Sequence, residues 1–466
     1  MKKQLFFDDS RLFGKDNVKR VYGKPTLIED AIYNDGICST DFCTGNVFKL
    51  DDGTYRMLYF AHSTEFKGKK LFAAKSQDGI HFKPEALNLP ETTYPHEIMQ
   101  LPRDGEVACV YEDPVSKTEH YKLLMSEPNW KTMDVVDVIY TSDDLIHWTK
   151  KENVFWGDGT EPLTSVFYNS HKQCHTIVER PFWGVRTVGQ KTTKDWGNFS
   201  EFRHTVGVDS EEESLAEIYG MYAFAYDGMY IGIPHMYRGL ESEFSAKYHD
   251  GIIDTQLTYS EDGEYWHRSL KQPFISGATE HNTVRREMIW VAGSSRGENG
   301  DIYLYASSSK LPHGPAFREP GTGEILIYHL RADGFIGLES IDKTTPSRII
   351  TREKIWHGGN LHVNLVAQHA TIAVYISDES ELVSSNVLGI ARPLPGYTHE
   401  DCVPFTGDSI DFCPVFKSGK TLDELIGKTI VFEIRFTDGT LYSISGDYTD
   451  VFNTQAARYR KLGIMP

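Results

Sequence analysis

The chain has 466 residues, of which 40% are apolar and 12% aromatic, with 39 glycines. That length exceeds one ordinary domain, and the composition suits a turn-rich β protein, not a disordered or coiled-coil chain. Its 66 acidic and 48 basic residues give a formal charge of −18; such a surface offers no counter-charge to a phosphate backbone or an acidic lipid, which excludes nucleic acid and membrane as partners.

The N-terminal stretch Met1-Lys-Lys-Gln-Leu-Phe-Phe-Asp-Asp9 meets acidic residues after three apolar ones, so it has no signal-peptide core and a cytoplasmic location is expected. No apolar run approaches the about 20 residues of a membrane span. The six cysteines form no CxxC and no Cys/His ligand spacing; they read as small buried thiols. No metal and no cofactor is expected, and the oligomeric state is not legible.

Along the chain the pattern is strand, turn, strand, five times over. Asn46-Val-Phe-Lys-Leu50 and Thr54-Tyr-Arg-Met-Leu-Tyr-Phe60 flank an Asp-Gly turn, which predicts a hairpin. The same unit returns at 106–111 with 121–125, at 165–168 with 175–178, at 221–226 with 229–233, and at 288–292 with 301–306. Each unit adds a third strand, and four of these run into a repeated phrase: Ser76-Gln-Asp78-Gly-Ile-His-Phe82, Ser142-Asp-Asp144-Leu-Ile-His-Trp148, Thr193-Lys-Asp195-Trp-Gly-Asn-Phe199 and Ser260-Glu-Asp262-Gly-Glu-Tyr-Trp266. Arg331-Ala-Asp333-Gly-Phe335 reads as a degenerate fifth copy, and successive Asp positions lie 66, 51, 67 and 71 residues apart. A strand-rich unit recurring at that interval is the signature of a β-propeller. A residue that recurs once per blade is structural, so each Asp is expected to cap a turn and each aromatic to pack between blades. After residue 340 the strands 361–366, 371–375, 429–436 and 440–444 alternate with Gly/Asp/Ser turns and one helical stretch, Leu422-Asp-Glu-Leu425. The expectation is an all-β chain: a five-bladed β-propeller over 1–340, then a C-terminal β-sandwich over 341–466 with an irregular tail from Tyr448.

Several phrases resemble a group of glycoside hydrolases related to family 32: Leu5-Phe-Phe-Asp-Asp9 with Asn17-Val-Lys-Arg-Val21, Ala216-Glu-Ile-Tyr-Gly-Met221, Asp254-Thr-Gln-Leu-Thr-Tyr-Ser260, Leu330-Arg-Ala-Asp-Gly-Phe335, Tyr397-Thr-His-Glu-Asp401, Gly407-Asp408 and Leu441-Tyr-Ser443. The resemblance spans essentially the whole chain. It implies the propeller-plus-sandwich arrangement of families 32 and 68, whose propeller is shared with family 43. The nucleophile, Arg-Asp-Pro and Glu-Cys motifs of family 32 proper are not intact here, and the Asp-Pro of Tyr111-Glu-Asp-Pro114 reads as a turn inside the second hairpin.

Glycoside cleavage needs one carboxylic acid to protonate the leaving oxygen and one carboxylate to attack or to activate water. In five-bladed enzymes these acids project from the starts of innermost strands. The acids at those places are Asp41 for blade 1, Glu97 or Asp104 for blade 2, Glu161 for blade 3, Glu217 for blade 4, and Glu280 with His281 for blade 5. Asp41 resembles the propeller nucleophile or base by its place. Glu217, between apolar neighbours, is expected to stay protonated and act as the acid, with Glu161 as its rival, since related propellers take the acid from blade 3. Glu97, Asp104, Arg180, Trp183, Tyr219, His235, Glu280 and His281 are candidate sugar-binding residues; for Asp104 the alternative is a turn, for Arg180 a salt bridge, and for His235 and Tyr219 a place in the core or rim. The expected function is a glycoside hydrolase, with furanosides such as fructosides or arabinosides among the substrates. A non-catalytic carbohydrate-binding propeller is the alternative, and Arg180, Arg186, Arg238, Arg285 and Arg286 keep a phosphate-using phosphorylase open.

Overall fold

The computed structural model of the chain describes residues 1–36, 46–62, 66, 68–101, 105–129, 134–157, 164–181, 183–213, 215–239, 250–277, 286–316, 323–376 and 393–451. The fold is all-β, a five-bladed propeller followed by a β-sandwich. The strands fall into two compact units, residues 24–331 and residues 1–23 with 332–466. The expected boundary at residue 340 therefore moves, and the N-terminus changes unit. The reason is strand pairing: β1 (Lys2–Leu5), β2 (Leu12–Asp16) and β3 (Val18–Tyr22) hydrogen-bond to strands of the C-terminal sheet, not to a blade.

In the larger unit, β4 (Thr26–Leu27) precedes five blades. Blade 1 holds β5 (Asn46–Lys49), β6 (Tyr55–His62), β7 (Lys69–Ser76) and a split outer strand, β8 (Lys83–Pro84) and β9 (Glu97–Gln100). Blade 2 is the meander β10 (Glu106–Glu112), β11 (Tyr121–Asn129), β12 (Asp134–Ser142) and β13 (Thr149–Gly157). Blade 3 repeats it with β14 (Ser165–Asn169), β15 (Cys174–Glu179), β16 (Val188–Thr193) and β17 (Arg203–Val206). Blade 4 comprises β18 (Ala216–Tyr226), β19 (Met229–Gly239), β20 (Gly251–Thr255) and β21 (Thr258–Ser260). Blade 5 comprises β22 (Met288–Arg296), β23 (Ile302–Ser309) and β24 (Gly323–Leu330), and β4 supplies its outer strand by pairing Leu27 with Tyr328. The start of the unit thus completes its last blade. All five expected hairpins are present.

Side chains close the ring at the axis. Asn46 Nδ2 donates to the Ala292 carbonyl of blade 5 at 3.0 Å, while its Oδ1 accepts the Val110 N–H of blade 2 at 2.9 Å. Ser165 Oγ donates to the Met221 carbonyl (3.0 Å) and accepts from Ala223 N (2.9 Å), joining blades 3 and 4. Tyr222 and Ser294 join blades 4 and 5 through their hydroxyls at 3.0 Å.

The repeated phrase works between blades as expected. Asp144 Oδ1 accepts the N–H groups of Ile146 and His147 at 2.9 and 2.8 Å, and Ser142 Oγ accepts those of Asp144 and Leu145. Asp78, Asp195 and Asp262 repeat the pattern. Each aromatic then packs against the blade before its own: Phe82 with Tyr305 and Ile327, Trp148 with Phe48 and Leu58, Phe199 with Leu124 and Trp156, and Trp266 with Phe167 and Val178. The preceding blade also reaches back, through Tyr305 OH to the Gly79 carbonyl (2.8 Å), Arg56 to the Asp144 carbonyl (2.8 Å) and Asn169 to the Asp262 carbonyl (2.7 Å). The seam between blades 4 and 5 lacks the phrase; there the two sheets are joined by a parallel bridge, Ile253 to Met288.

Asp333, read as a fifth copy, does something else. It belongs to the smaller unit, is buried, and accepts from Lys3 Nζ at 2.7 Å and Ser443 Oγ at 2.6 Å. It therefore ties β1 to the sandwich. That sandwich contains β25 (Ile336–Ser340), β26 (Ser347–Thr351), β27 (Lys354–Ile376), β28 (Phe405–Phe412), β29 (Thr429–Thr437) and β30 (Thr440–Asp450). β27 changes partner along its 23 residues: 354–366 run antiparallel to β30, and 369–376 pair with β29, from His369 opposite Thr437 to Ile376 opposite Ile430. The expected irregular tail from Tyr448 is instead strand as far as Asp450, because Asp450 accepts an ion pair from buried Lys354 at 2.6 Å and one from Lys2 at 2.7 Å. The helical stretch Leu422–Leu425 is a single 3-10 turn started by a Thr421/Glu424 capping box.

Asp144→Ala removes the side-chain acceptor of two backbone N–H groups in an inter-blade turn, so a loss of about 1 kcal/mol of stability is expected in a urea titration. Acid acts on the same turns. Partial burial opposes the Asp144 carboxylate, but hydrogen bonds from His147, Ile146 and Ser142 outweigh it and hold the group at about 2, against an ordinary 3.8. Asp195 is held at about 2 by Asn198 and the N–H groups of Gly197 and Asn198. A depressed folded pKa means that the unfolded chain takes up protons first. The stability these turns contribute is therefore complete above pH about 4 and falls as pH drops toward about 2, which acid titration followed by near-UV circular dichroism will show.

Candidate functional site

Blades that repeat one meander around an axis start all their innermost strands at one end. The starts of β5, β10, β14, β18 and β22 therefore converge there, which brings together residues far apart in sequence. On the axis lies a pocket of about 200 Å³ whose lining includes Asn46, Cys109, Glu112, Thr164, Tyr222 and Ser294. It is polar for a structural reason: the groups that close the ring also line it. Thr164 Oγ1 is buried there with no hydrogen-bond partner among the described residues. Burial first, and the negative charge of Glu179 second, push the Cys109 thiol well above its ordinary range, so it is an inert lining group.

Among the expected site residues, Asp41, Asp104, Glu161, Glu280 and His281 lie outside the described residues, in stretches that immediately precede β5, β10, β14 and β22. The described ones form two groups. The first spans blades 3 and 4. Arg180, at the end of β15, is buried; it donates to the Tyr219 carbonyl at 3.0 Å and lies 4.4 Å from the centre of that ring. Tyr219 stacks on Tyr237 at 6.0 Å and bonds His313 Nε2 through its hydroxyl at 2.8 Å. Arg186 sits 4.7 Å from the Tyr237 ring, and its Nη1 donates to Glu217 at 2.6 Å. These are cation–π layers, each with one face partly desolvated.

Glu217 differs from its expected setting. The apolar neighbours in sequence, Ala216 and Ile218, are buried, but alternation along β18 turns Glu217 the other way, with its side chain 32% exposed and ion-paired to Arg186. Trp183, 43% exposed, packs on Phe202 and His204 and lies over Gly189. A Cβ at Gly189 would stand 2.9 Å from both Pro181 and Trp183, so only glycine fits beneath the ring. His235 is 1% exposed and bonds the Val291 carbonyl at 2.9 Å across the blade 4–5 seam; burial lowers it to about 4, so it is a neutral seam residue and not a ligand for substrate.

The second group spans blade 1. Glu97 is 1% exposed and is occupied by Lys70 Nζ at 2.6 Å and the Thr93 N–H at 3.0 Å, an internal ion pair that replaces its expected sugar-binding role. Nearby lies Asp35, whose side chain is fully buried: it accepts from the Tyr59 hydroxyl at 2.7 Å and sits 3.3 Å from His96 Nε2. Its sequence, Asn34-Asp35-Gly36, reads as a turn, so nothing local distinguishes it. Buried Glu179 was legible as half of the Glu-Arg pair at 179–180. Arg238 pairs with Asp254 and Glu213, and Arg286 with Glu324. Within the propeller, no three metal-ligating side chains converge among the described residues.

No family model matches the chain, and no curated protein matches its sequence. Solved structures do show likeness. An N-acetylgalactosamine deacetylase from F. plautii is 11% identical, with 68% of this chain and 96% of that one covered and a TM-score of 0.44. A β-1,2-mannobiose phosphorylase from Listeria innocua is 12% identical, covering 68% and 97%, with a TM-score of 0.41. A glycosyl hydrolase from Bacteroides ovatus is 14% identical, covering 70% and 96%, with a TM-score of 0.39. These likenesses assign no activity to this chain.

The stacked cluster supports a graded test. Tyr219→Phe keeps the ring but loses the hydroxyl bond to His313 and is expected to cost about 1 kcal/mol. Tyr219→Ala also removes the ring beneath Arg180, and about 3–5 kcal/mol is expected. Denaturant unfolding of the two variants measures the difference.

Proposed function

We propose that the protein is a glycoside hydrolase that cleaves an O-glycosyl bond with two carboxyl groups, with furanosides among its substrates. One observation carries the reading: all five innermost strands meet on one axis, where they line a polar pocket, and an acid stands at or before the start of each of them in sequence. Asp41 is assigned as nucleophile or base. A proton donor calls for a carboxyl in an apolar setting, and Glu217 is in an ion pair with Arg186 instead. The acid role therefore passes to Glu161, and Glu217 with Arg186 is assigned to holding sugar hydroxyls. Exposed Trp183 supplies the aromatic surface that a sugar ring needs on its CH face, and buried Arg180 and Tyr219 support the layer behind Arg186.

A second reading, a carbohydrate-binding propeller without turnover, is favoured by the occupied acids: Glu97, Glu217, Asp254 and Glu324 all sit in ion pairs. A phosphorylase is disfavoured by the same pairing, since the guanidinium groups of Arg186, Arg238 and Arg286 already face carboxylates.

Chromogenic glycosides screened with and without inorganic phosphate separate the three. Hydrolysis independent of phosphate is expected, with Asp41→Asn and Glu161→Gln each lowering kcat roughly 10²–10⁴-fold and Glu217→Gln acting mainly on KM. Unchanged activity in both Asp41→Asn and Glu161→Gln sinks the assignment. Saturable sugar binding without turnover establishes the second reading, and cleavage that requires phosphate establishes the third.

A further inference from the structure

The smaller unit carries a cluster that glycoside chemistry does not use. β27 and β28 run antiparallel with Val363 opposite Phe412. Continuing that register places His362 across from Cys413, and alternation puts Asp411 on the same face as Cys413. The side chains meet there. His362 Nδ1 is hydrogen-bonded to Asp411 Oδ1 and lies 3.5 Å from Cys413 Sγ, and the three donor atoms lie within 4.8 Å of one another. Asp411 N also donates to Ser409 Oγ at 3.0 Å, and the Phe405 and Phe412 rings pack tilted at 4.7 Å, beside the end of β28.

The arrangement is not a nucleophilic triad. In a triad the nucleophile and the carboxylate engage opposite nitrogens of the imidazole; here both converge on Nδ1. One ring nitrogen carries at most one proton, so it cannot donate to both neighbours. A cation at the point of convergence satisfies all three. The spacing also fits: zinc–nitrogen and zinc–sulfur bonds at a tetrahedral angle set N and S about 3.6 Å apart, against 3.5 Å for His362 and Cys413. Asp411, with 65% of its side chain exposed, is free to swing from the hydrogen bond into coordination.

We propose that His362, Asp411 and Cys413 form a site for one borderline-soft divalent transition-metal ion of the zinc class, with a fourth position left for water. The mixed sulfur, nitrogen and oxygen set selects zinc or cobalt over calcium and magnesium, which take oxygen ligands. Binding clips the end of β28 to β27, releases the Cys413 proton, and needs no residue of the propeller.

Cobalt(II) titrated into the reduced, untagged full chain tests it. One equivalent is expected to bind with a thiolate-to-cobalt charge-transfer band and tetrahedral d–d absorption, to be displaced by zinc(II), and to be insensitive to excess magnesium(II). Cys413→Ser is expected to abolish the charge-transfer band, and His362→Ala and Asp411→Asn to weaken binding at least about tenfold. Zinc(II) is expected to raise the thermal midpoint of the wild type but not of Cys413→Ser. Absence of the band, its survival in Cys413→Ser, or unchanged affinity in either other variant overturns the proposal. Asp411→Asn changes an exposed side chain, so it keeps the test valid if His362→Ala does not fold.

Discussion

The propeller rests on one constraint: a blade is a sheet with two apolar faces, and only neighbouring blades can cover both. A sheet of four strands cannot be stable alone with both faces wet. Five blades solve this by closing on themselves, and every seam is then a core. Leu58 of blade 1 packs with Leu123 and Val138 of blade 2, and Ile177 of blade 3 with Leu124 and Ile139 of blade 2. Burial of such side chains is worth about 1.5–3 kcal/mol each, so the seams, not the loops, decide the architecture. The repeated Ser/Thr-x-Asp phrase serves that constraint. Its Asp satisfies backbone donors at a turn, and its aromatic fills the seam in front of it.

Closure also decides where chemistry can occur. The axis is where strands from five blades approach most closely, so it is lined by whatever holds the ring together: Asn46, Ser165, Tyr222 and Ser294. Around the ring the chain balances several of its carboxylates with cations. Unpaired buried charge is costly, which is why Lys70 answers Glu97, Arg186 answers Glu217 and Arg238 answers Asp254. Arg186 and Arg180 also lie over tyrosine rings, which lets a guanidinium be partly desolvated without losing all its electrostatic partners.

The sandwich obeys a different logic. It is held by one long strand that serves three partners and by charges buried at its ends. Lys354 is fully buried, yet it touches Asp450 and Gln4. Glu433 is equally buried and accepts from Arg348, Arg435 and Tyr375. Burial opposes its charge, but hydrogen bonds from His399, Arg348 and Tyr375 outweigh it and hold the group far below the usual carboxylate range. Because β1 to β3 enter this sheet, the first residues of the chain and the last described ones share one core: Phe6 packs with Tyr448 in it.

Local pattern made the blades legible. Two-residue periodicity, Asp-Gly turns and the recurring phrase depend only on near neighbours, so the five hairpins and the all-β class follow from the residues alone. What the sequence could not specify is which distant strands share a sheet and which side chains meet. The placement of Lys2–Tyr22 in the sandwich depends on pairings over 300 residues away, and Asp333 joined the wrong group because its phrase forms a turn, but one whose carboxylate bonds distant Lys3 and Ser443. Glu217 looked apolar in sequence because Ala216 and Ile218 flank it; strand alternation sends those two inward and Glu217 outward to Arg186. The His362, Asp411 and Cys413 cluster had no ligand spacing at all, since its members stand 49 and 51 residues apart. Periodicity is a local property of a chain, and convergence is a property of its folded register.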